Sequence, residues 1–307
     1  MRWTAIIAAG GRGERFGRPK QFVEIAGLPM LGWSVRAFAS MREVEEIVVA
    51  VDAGLVTQTQ ALLAELAAQT RGRVVGGGHT RGASVGNALA AAAPDVDAVL
   101  VHDGARPLVR VQNVRAGMRA VRPGRASVLA SRVVDTVKLV DNESLLVQQT
   151  LDRDRLWAAQ TPQFAMRSDL AAAYRDGAYA TDDTALLERA GVEVVVVPSR
   201  HANFKITLPE DIGPAELLLR ERLAQGFPEP DAVLVEIFAG SEHVDAILRL
   251  VGEHGGRVDG IERDLPKGAA VRAYVAADRL HAFEASFVPL ADGSATITVH
   301  DTAAGGG

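Results

Sequence analysis

In the stretch IIAAGGRGERFGRPKQF, residues 6–22, two β-branched residues run into Gly10 and Gly11, with Gly13 and Gly17 close behind. Arg12, Arg15 and Lys20 surround these glycines, and Glu14 is the one carboxylate among them. Bare glycine amides can turn sharply and face an anion, and fixed cations add to that pull, so the pattern suits a phosphate chain. A plain strand-to-helix turn would use the glycines but has no need of the cations. The stretch is not a Walker loop, because no GK[ST] follows, and its glycines lack the GxGxxG spacing of the dinucleotide fingerprint. Asp103 closes the apolar run AVLVHD, and Arg106 stands three residues on. The carboxyl end of such a strand is where open α/β sheets place their ligands, although a helix cap or turn would use an aspartate too. Arg81 lies between Gly78 and Ser84 and suits either a site or a plain surface charge. Asp182 and Asp183 form a carboxylate pair, and Trp157 reads as core. His102 precedes Asp103 on a strand, so its side chain belongs to the opposite face and to the structure. None of the seven histidines is spaced as a metal cluster.

The elements that must hold these residues alternate. Strands are predicted at 4–9, 46–51, 73–76, 97–101, 126–131 and 192–197, with helical patterns at 30–40, 54–69, 82–92, 111–121 and 209–223. Nearly continuous apolar strands separated by helices indicate an open, mostly parallel α/β sheet covered on both faces. Residues 132–150 break the alternation and read as a β-hairpin turning at Asp141-Asn142. Such a hairpin must bury one face on its own domain or on a second subunit. GFPEPD, 226–231, interrupts the chain with two prolines and a glycine, and a domain boundary is placed there: 1–225 and 226–307. The second part reads βαββαβ, a ferredoxin-like α+β order, with Ser241 as the N-cap of its first helix. His243, Glu253, His254 and Asp259 scatter around and beyond that helix and read as solvated. Association is the role expected of this part, by fold analogy alone.

Composition narrows the classes. With 307 residues and a net charge of -5, the chain gives no reason to expect nucleic acid, and 5% aromatic content offers no base-stacking platform. It has no cysteine, so disulfides and thiolate metal sites are excluded. No signal-peptide pattern and no apolar run of spanning length is present, so a cytoplasmic protein free of membrane is expected.

Further segments follow the glycine loop in order: GGGHTRGASV (76–85), VHDGARPLV (101–109), DTVK (135–138), TLDRDRLWAAQTPQ (150–163), TDDTALL (181–187) and NFKITLPEDI (203–212). Together they resemble the 2-C-methyl-D-erythritol 4-phosphate cytidylyltransferases, a GT-A-like, Rossmann-like nucleotidyltransferase family of the non-mevalonate isoprenoid pathway, over residues 3–222. The resemblance implies that Gly11 and Gly13 bring the loop backbone to the CTP triphosphate and that Arg15 and Lys20 neutralise it and act in catalysis. Mg2+ would bridge the phosphates. The resemblance also implies that Gly77, Gly78 and Ser84 read base and ribose, that Asp103 meets hydroxyls, and that Arg106 lies nearby. Thr136, Arg153, Thr161, Thr181 and Lys205 would hold the second substrate. The hairpin would cross a homodimer interface, so that Thr136 and Arg153 serve the neighbouring subunit. Asp182 and Asp183 are then site-shaping or capping residues, because the attacking phosphate oxygen is already ionised and needs no general base. Gly10 and Gly104 stand where the family commonly has alanine, and both changes are expected to loosen a loop without filling the site. A ribitol-5-phosphate or other polyol phosphate cytidylyltransferase shares fold and reaction, but DGARP and TLDRDRLWAAQTPQ favour the methylerythritol family. An inactive nucleotide-binding scaffold would have lost Lys20, Arg15 or Arg153. A fusion with a zinc cyclase is rejected, because the second part is too short and lacks an Asp-x-His pattern.

Overall fold

The structure, a computed structural model, describes residues 1–11, 16, 19–175, 182–199, 201–224, 232–253, 257–265, 268–276, 280–287 and 296–300. In chain order, the first part runs β1 (Trp3–Ala9), β2 (Glu24–Ile25), β3 (Leu28–Pro29), α1 (Met30–Ala39), β4 (Val44–Val51), α2 (Val56–Leu66), β5 (Arg71–Gly76), α3 (Arg81–Ala91) and β6 (Ala98–Asp103). It continues through α4 (Val111–Arg119), β7 (Arg125–Arg132), β8 (Lys138–Val140), β9 (Val147–Thr150), β10 (Trp157–Met166), α5 (Arg167–Tyr174), α6 (Asp183–Arg189), β11 (Glu193–Pro198) and α7 (Ile212–Ala224). Seven strands form one sheet in the order β11-β7-β10-β6-β1-β4-β5. All neighbours pair parallel except β10, which is antiparallel to both β6 and β7.

The mostly parallel sheet explains the apolar strands: β1, β4 and β6 are buried along nearly their whole length, with helices on both faces. Alternation sends Ile6, Val48, Val99 and Val101 to the face that carries Val85, Leu89, Leu170 and Leu187 of α3, α5 and α6. The opposite face packs against α1 and α4, where Trp33 and Phe38 are fully buried. Burying a large apolar side chain of this kind contributes about 1.5–3 kcal/mol.

Several elements depart from the sequence reading. β10 is a central strand that the sequence conceals: Pro162 lacks an amide donor, and the pairing of β10 with β7 slips between Ala159 and Gln163 around it. Helices α5 and α6 are too short for a periodic signal. The hairpin is confined to β8 and β9 around the turn 141–146, where the Asp141 carboxylate accepts from the Glu143 and Ser144 amides. Trp157 is not core either; it is half-buried, with the Arg132 guanidinium 4.9 Å from its ring centre.

By chain contacts the molecule divides into Met1–Ala224 and Gln225–Gly307. The second unit contains β12 (Ala232–Ala239), α8 (Val244–Glu253), β13 (Arg257–Leu265), β14 (Gly268–Ala276), α9 (Leu280–Phe287) and β15 (Thr296–His300). Its sheet is ordered β13-β14-β12-β15, with every pair antiparallel. Val244, Ile247, Leu250 and Val251 of α8 pack with Val235, Ile237, Val271 and Phe283. Ser241 is not the N-cap of α8: it opens a 3-10 turn, Ser241–His243, whose cap position is Gly240.

In the first unit, Gly117 of α4 lies against the Phe164 ring so closely that a β-carbon would overlap it. Gly117→Ala therefore forces the ring or the helix to move, and a loss of about 1–3 kcal/mol is expected. Thermal unfolding should show a lowered Tm; an unchanged Tm would mean that the contact yields freely.

Candidate active site

The strands β1, β4, β5 and β6 end at one edge of the sheet, and a pocket lies beyond them. Ala9, Gly10 and Gly11 follow β1, Gly78, His79 and Thr80 follow β5, and Asp103 ends β6; Lys20, Arg81, Ser84 and Lys205 complete the wall. Among the described residues lining it, three are fixed cations and one is a carboxylate. The balance favours an anionic ligand.

Local structure sets each contributor. Thr80 caps α3 by accepting from the Ala83 amide at 3.0 Å, which brings Arg81 to the first turn at the pocket wall. Ser84, one turn on, accepts from the Gly78 amide at 3.0 Å. The loop 76–80 passes so close to its neighbours that a β-carbon on Gly77 would lie 3.2 Å from the Val51 carbonyl oxygen. The Gln21 amide donates to the carbonyl of Ala9 and to that of Gly11 at 2.6 Å, fastening the exit of β1. The Lys20 ammonium donates to the Ile206 carbonyl at 2.9 Å.

Asp103 is the electrostatic centre. Its Oδ1 accepts from Arg81 Nε at 2.8 Å, Lys205 Nζ stands 3.0 Å from Oδ2, and Arg106 Nε is 3.6 Å away. Burial pushes the carboxyl upward, yet Arg81 and Lys205 outweigh it and hold it well below the usual carboxylate range. Arg81 also reaches Asp183 Oδ2 at 2.8 Å. Burial opposes the guanidinium charge, but Asp183 and Asp103 keep it firmly protonated. Arg106 donates to the Asn203 carbonyl at 2.8 Å, and the Ile206 amide donates to Ala105, so the strip carrying Lys205 is tied along the loop after β6.

The expected residues separate into four groups. Gly11, Lys20, Gly78, Ser84, Asp103 and Lys205 line the pocket, with Gly77 beside it and Arg106 behind Asp103. Thr136 and Arg153 are exposed on the segments that flank the hairpin, where Arg153 donates to the Val134 carbonyl at 2.8 Å, and neither lines the pocket. Gly13, Arg15 and Thr181 lie outside the described residues. Thr161 is buried, and its hydroxyl accepts from the Asp103 amide at 3.0 Å and meets His102 Nδ1 at 3.1 Å. Its place is behind the site.

Other assignments change with the geometry. Arg81 is no plain surface charge, and only its neighbours in the fold could reveal that. Asp182 caps α6 through the Ala185 amide, while Asp183 is buried and takes the Arg81 and Tyr174 contacts. Gln21 and Tyr174 carry no role in the sequence reading: Gln21 falls inside the glycine-rich stretch without a task of its own, and nothing in its local sequence marks Tyr174. Gly10 and Gly104 do more than loosen loops, because a β-carbon would lie 3.1 Å from Ser84 Oγ at Gly10 and 3.1 Å from Ala9 Cβ at Gly104. Among the described residues, no group of three His, Asp or Glu could hold a metal, and no helix is long and apolar enough to cross a membrane.

Comparison with known proteins decides the family. The family model of 2-C-methyl-D-erythritol 4-phosphate cytidylyltransferase (IspD) matches residues 3–221. The chain belongs to this family. Similar relatives bear the same name: that of Acidobacterium capsulatum is 38% identical over 236 residues, covering 72% of this chain and 99% of its own. That of Streptomyces avermitilis is 42% identical over 238 residues, covering 74% and 95%. Among solved structures, 2-C-methyl-D-erythritol 4-phosphate cytidylyltransferase from Thermus thermophilus is 32% identical with a TM-score of 0.58, covering 72% of this chain and 100% of that one. 4-Diphosphocytidyl-2C-methyl-D-erythritol synthase from Anaerococcus prevotii is 29% identical with a TM-score of 0.64, covering 71% and 98%.

His102 stands behind Asp103 and makes the site sensitive to acid. Burial drives its imidazole down to about 4. The Arg106 carbonyl at 3.1 Å from Nε2 can only accept, so Nε2 carries the proton and Nδ1 accepts from Thr161. A depressed pKa means that this stability is complete above the unfolded value of about 6.5 and is lost as pH falls toward 4, by up to about 3 kcal/mol. Urea unfolding between about pH 7 and about pH 4.5 should show that decline in the wild type and a flatter profile in His102→Gln. Parallel profiles would show that His102 does not set it.

Proposed function

We propose that the chain transfers a cytidylyl group from CTP to 2-C-methyl-D-erythritol 4-phosphate, giving 4-diphosphocytidyl-2-C-methyl-D-erythritol and pyrophosphate. The observation that carries this reading is the pocket at the carboxyl ends of β1 and β6, where glycine backbone, Lys20, Arg81 and Lys205 surround one ionised carboxylate inside the stretch matched by the family. A phosphate oxygen of the acceptor forms the new bond to the α-phosphorus as the bond to the β-phosphate oxygen breaks and pyrophosphate leaves with the electron pair. The acceptor oxygen is already ionised, so no base is required. The chain contributes position and positive charge, which count most where negative charge develops.

In this reading Lys20, with Arg15, neutralises the triphosphate. Gly11 and Gly13 offer backbone to it, Gly77, Gly78 and Ser84 receive base and ribose, and Asp103 faces the sugar side. Lys205, Thr136, Arg153 and Thr181 take the acceptor, with Arg106 and Thr161 holding the backbone around Asp103. Magnesium takes one or two carboxylates and completes its shell with phosphate oxygens and water. Both oxygens of Asp103, the one carboxylate among the described residues lining the pocket, are taken by Arg81 and Lys205, so a Mg2+ would be held by the CTP phosphates themselves and would further offset their charge.

We also infer a homodimer through the hairpin, with Thr136 and Arg153 serving the neighbouring subunit. Its support is an apolar surface left in water: Val134 is 79% exposed and Leu145 72%, with Leu146 and Val147 beside them. The element order of 226–307 and its antiparallel sheet support a ferredoxin-like second domain, with association as its role. The Acidobacterium relative is matched over 99% of its length by about the extent of the first unit, which supports 1–225 as the catalytic domain.

Lys20→Ala should lower turnover about a hundredfold to a thousandfold, as removal of one transition-state contact typically does, with at most a small fall in Tm from the lost bond to the Ile206 carbonyl. Pyrophosphate release from CTP and the acceptor phosphate measures it. Mixing Lys20→Ala with Arg153→Ala chains should restore part of the activity, because one composite site of each heterodimer then carries neither change. Near wild-type turnover in the single variant removes the catalytic role, and no recovery in verified heterodimers places Arg153 in its own subunit's site. A chain ending at Ala224 should retain most cytidylyl transfer; a soluble, dimeric truncation that is inactive would assign the second unit a catalytic part.

A further inference from the structure

We propose that Asp183, steadied by Tyr174, is a positioning residue that sets Lys205 at the pocket wall by restraining Arg81. The proposal rests on the cytidylyltransferase reading above and extends it to residues which that reading left without a task. A guanidinium beside a carboxylate ordinarily takes it with two parallel N–H donors. Here Arg81 does not: Nε alone reaches Asp103 Oδ1, while Nη1 is held by Asp183 Oδ2, each at 2.8 Å. The third nitrogen, Nη2, is shielded from water and has no hydrogen-bond partner among the described residues. The two carboxylates therefore impose the orientation, which is not the one the fork would adopt alone.

This orientation leaves Asp103 Oδ2 to Lys205, 3.0 Å away, with Arg106 Nε farther off at 3.6 Å. If Asp183 let go, the fork could close on both Asp103 oxygens and displace the lysine. Asp183 is itself well anchored. The Tyr174 hydroxyl donates to its Oδ1, and the Gln163 side-chain oxygen accepts from the Asp183 and Thr184 amides at 2.9 and 3.1 Å. Burial and the Asp183 charge both raise the Tyr174 pKa, so the phenol stays a donor. Tyr174, Asp183, Arg81, Asp103 and Lys205 thus form a line of contacts from α5 to the pocket.

The test compares Asp183→Asn and Tyr174→Phe with wild type, each also in a Lys205→Ala background, by kcat and by KM for CTP and for the acceptor phosphate, CTP binding by calorimetry, and Tm. With Lys205 present, Asp183→Asn should lower kcat/KM for the acceptor roughly tenfold, as loss of a supporting hydrogen-bond partner does, and Tyr174→Phe a smaller amount in the same direction. Without Lys205, either change should have an effect within about twofold, because its route to the pocket is gone. Equal losses in both backgrounds, or wild-type kinetics in both variants, would overturn the proposal. If Asp183→Asn does not fold, the Tyr174→Phe pair decides alone. A wild type that binds CTP but transfers nothing would remove the functional reading and leave the cycle to be read on CTP affinity. A wild type that does neither overturns both.

Discussion

One buried carboxylate organises the centre of this protein. Arg81, Arg106 and Lys205 come from a helix, a loop and a distant strip of chain, and their charges would repel one another without Asp103 among them. Removing one partner of a buried charge pair typically costs about 3–5 kcal/mol, because the survivor is left uncompensated. The cluster therefore holds the loops to the sheet while keeping an excess of positive charge near the pocket. Stability and anion binding draw on the same contacts.

The carboxylate can serve this way because its backbone is fixed from behind. Thr161 accepts from its amide, the Thr161 hydroxyl donates a hydrogen bond to His102 Nδ1, and His102 Nε2 closes the circuit by donating to the Arg106 carbonyl. Phe38 meets the same ring edge-on, with centroids 5.2 Å apart, so the polar circuit is embedded in the apolar core. Asn203 extends it by donating to the Thr161 carbonyl at 2.8 Å. The Thr161 hydroxyl and both His102 nitrogens satisfy their neighbours, which is how buried polar networks are tolerated.

Much of this was legible in the sequence because it was local. The apolar strands, the glycines at their ends and the Asp103–Arg106 spacing are properties of short segments, and they fixed the sheet and its ligand-bearing edge. What escaped depends on distant partners. Arg81 looks the same whether it faces water or two carboxylates, and only the packing of α3 against the start of α6 distinguishes these. Thr161 reads as a substrate hydroxyl until Asp103 and His102 are seen to use it. Strand β10 was hidden by its own proline, and Trp157 looked like core until the Arg132 stack was visible. Asp182 and Asp183 are adjacent and alike in sequence, yet one caps a helix and the other is buried against a guanidinium.

The antiparallel strand β10 has a consequence for how such a chain can change. Arg132 at the end of β7 pairs directly with Trp157 at the start of β10, so both feet of the excursion 133–156 are pinned side by side. Everything between them, including the hairpin, hangs from a closed base. Lengthening a loop whose ends are already joined costs little, since the closure entropy grows only with the logarithm of length. The excursion can be resized between Thr136 and Arg153 without shifting the register of any strand that carries the pocket. The protein thus has an appendage whose length can drift while the sheet beneath it stays as it is.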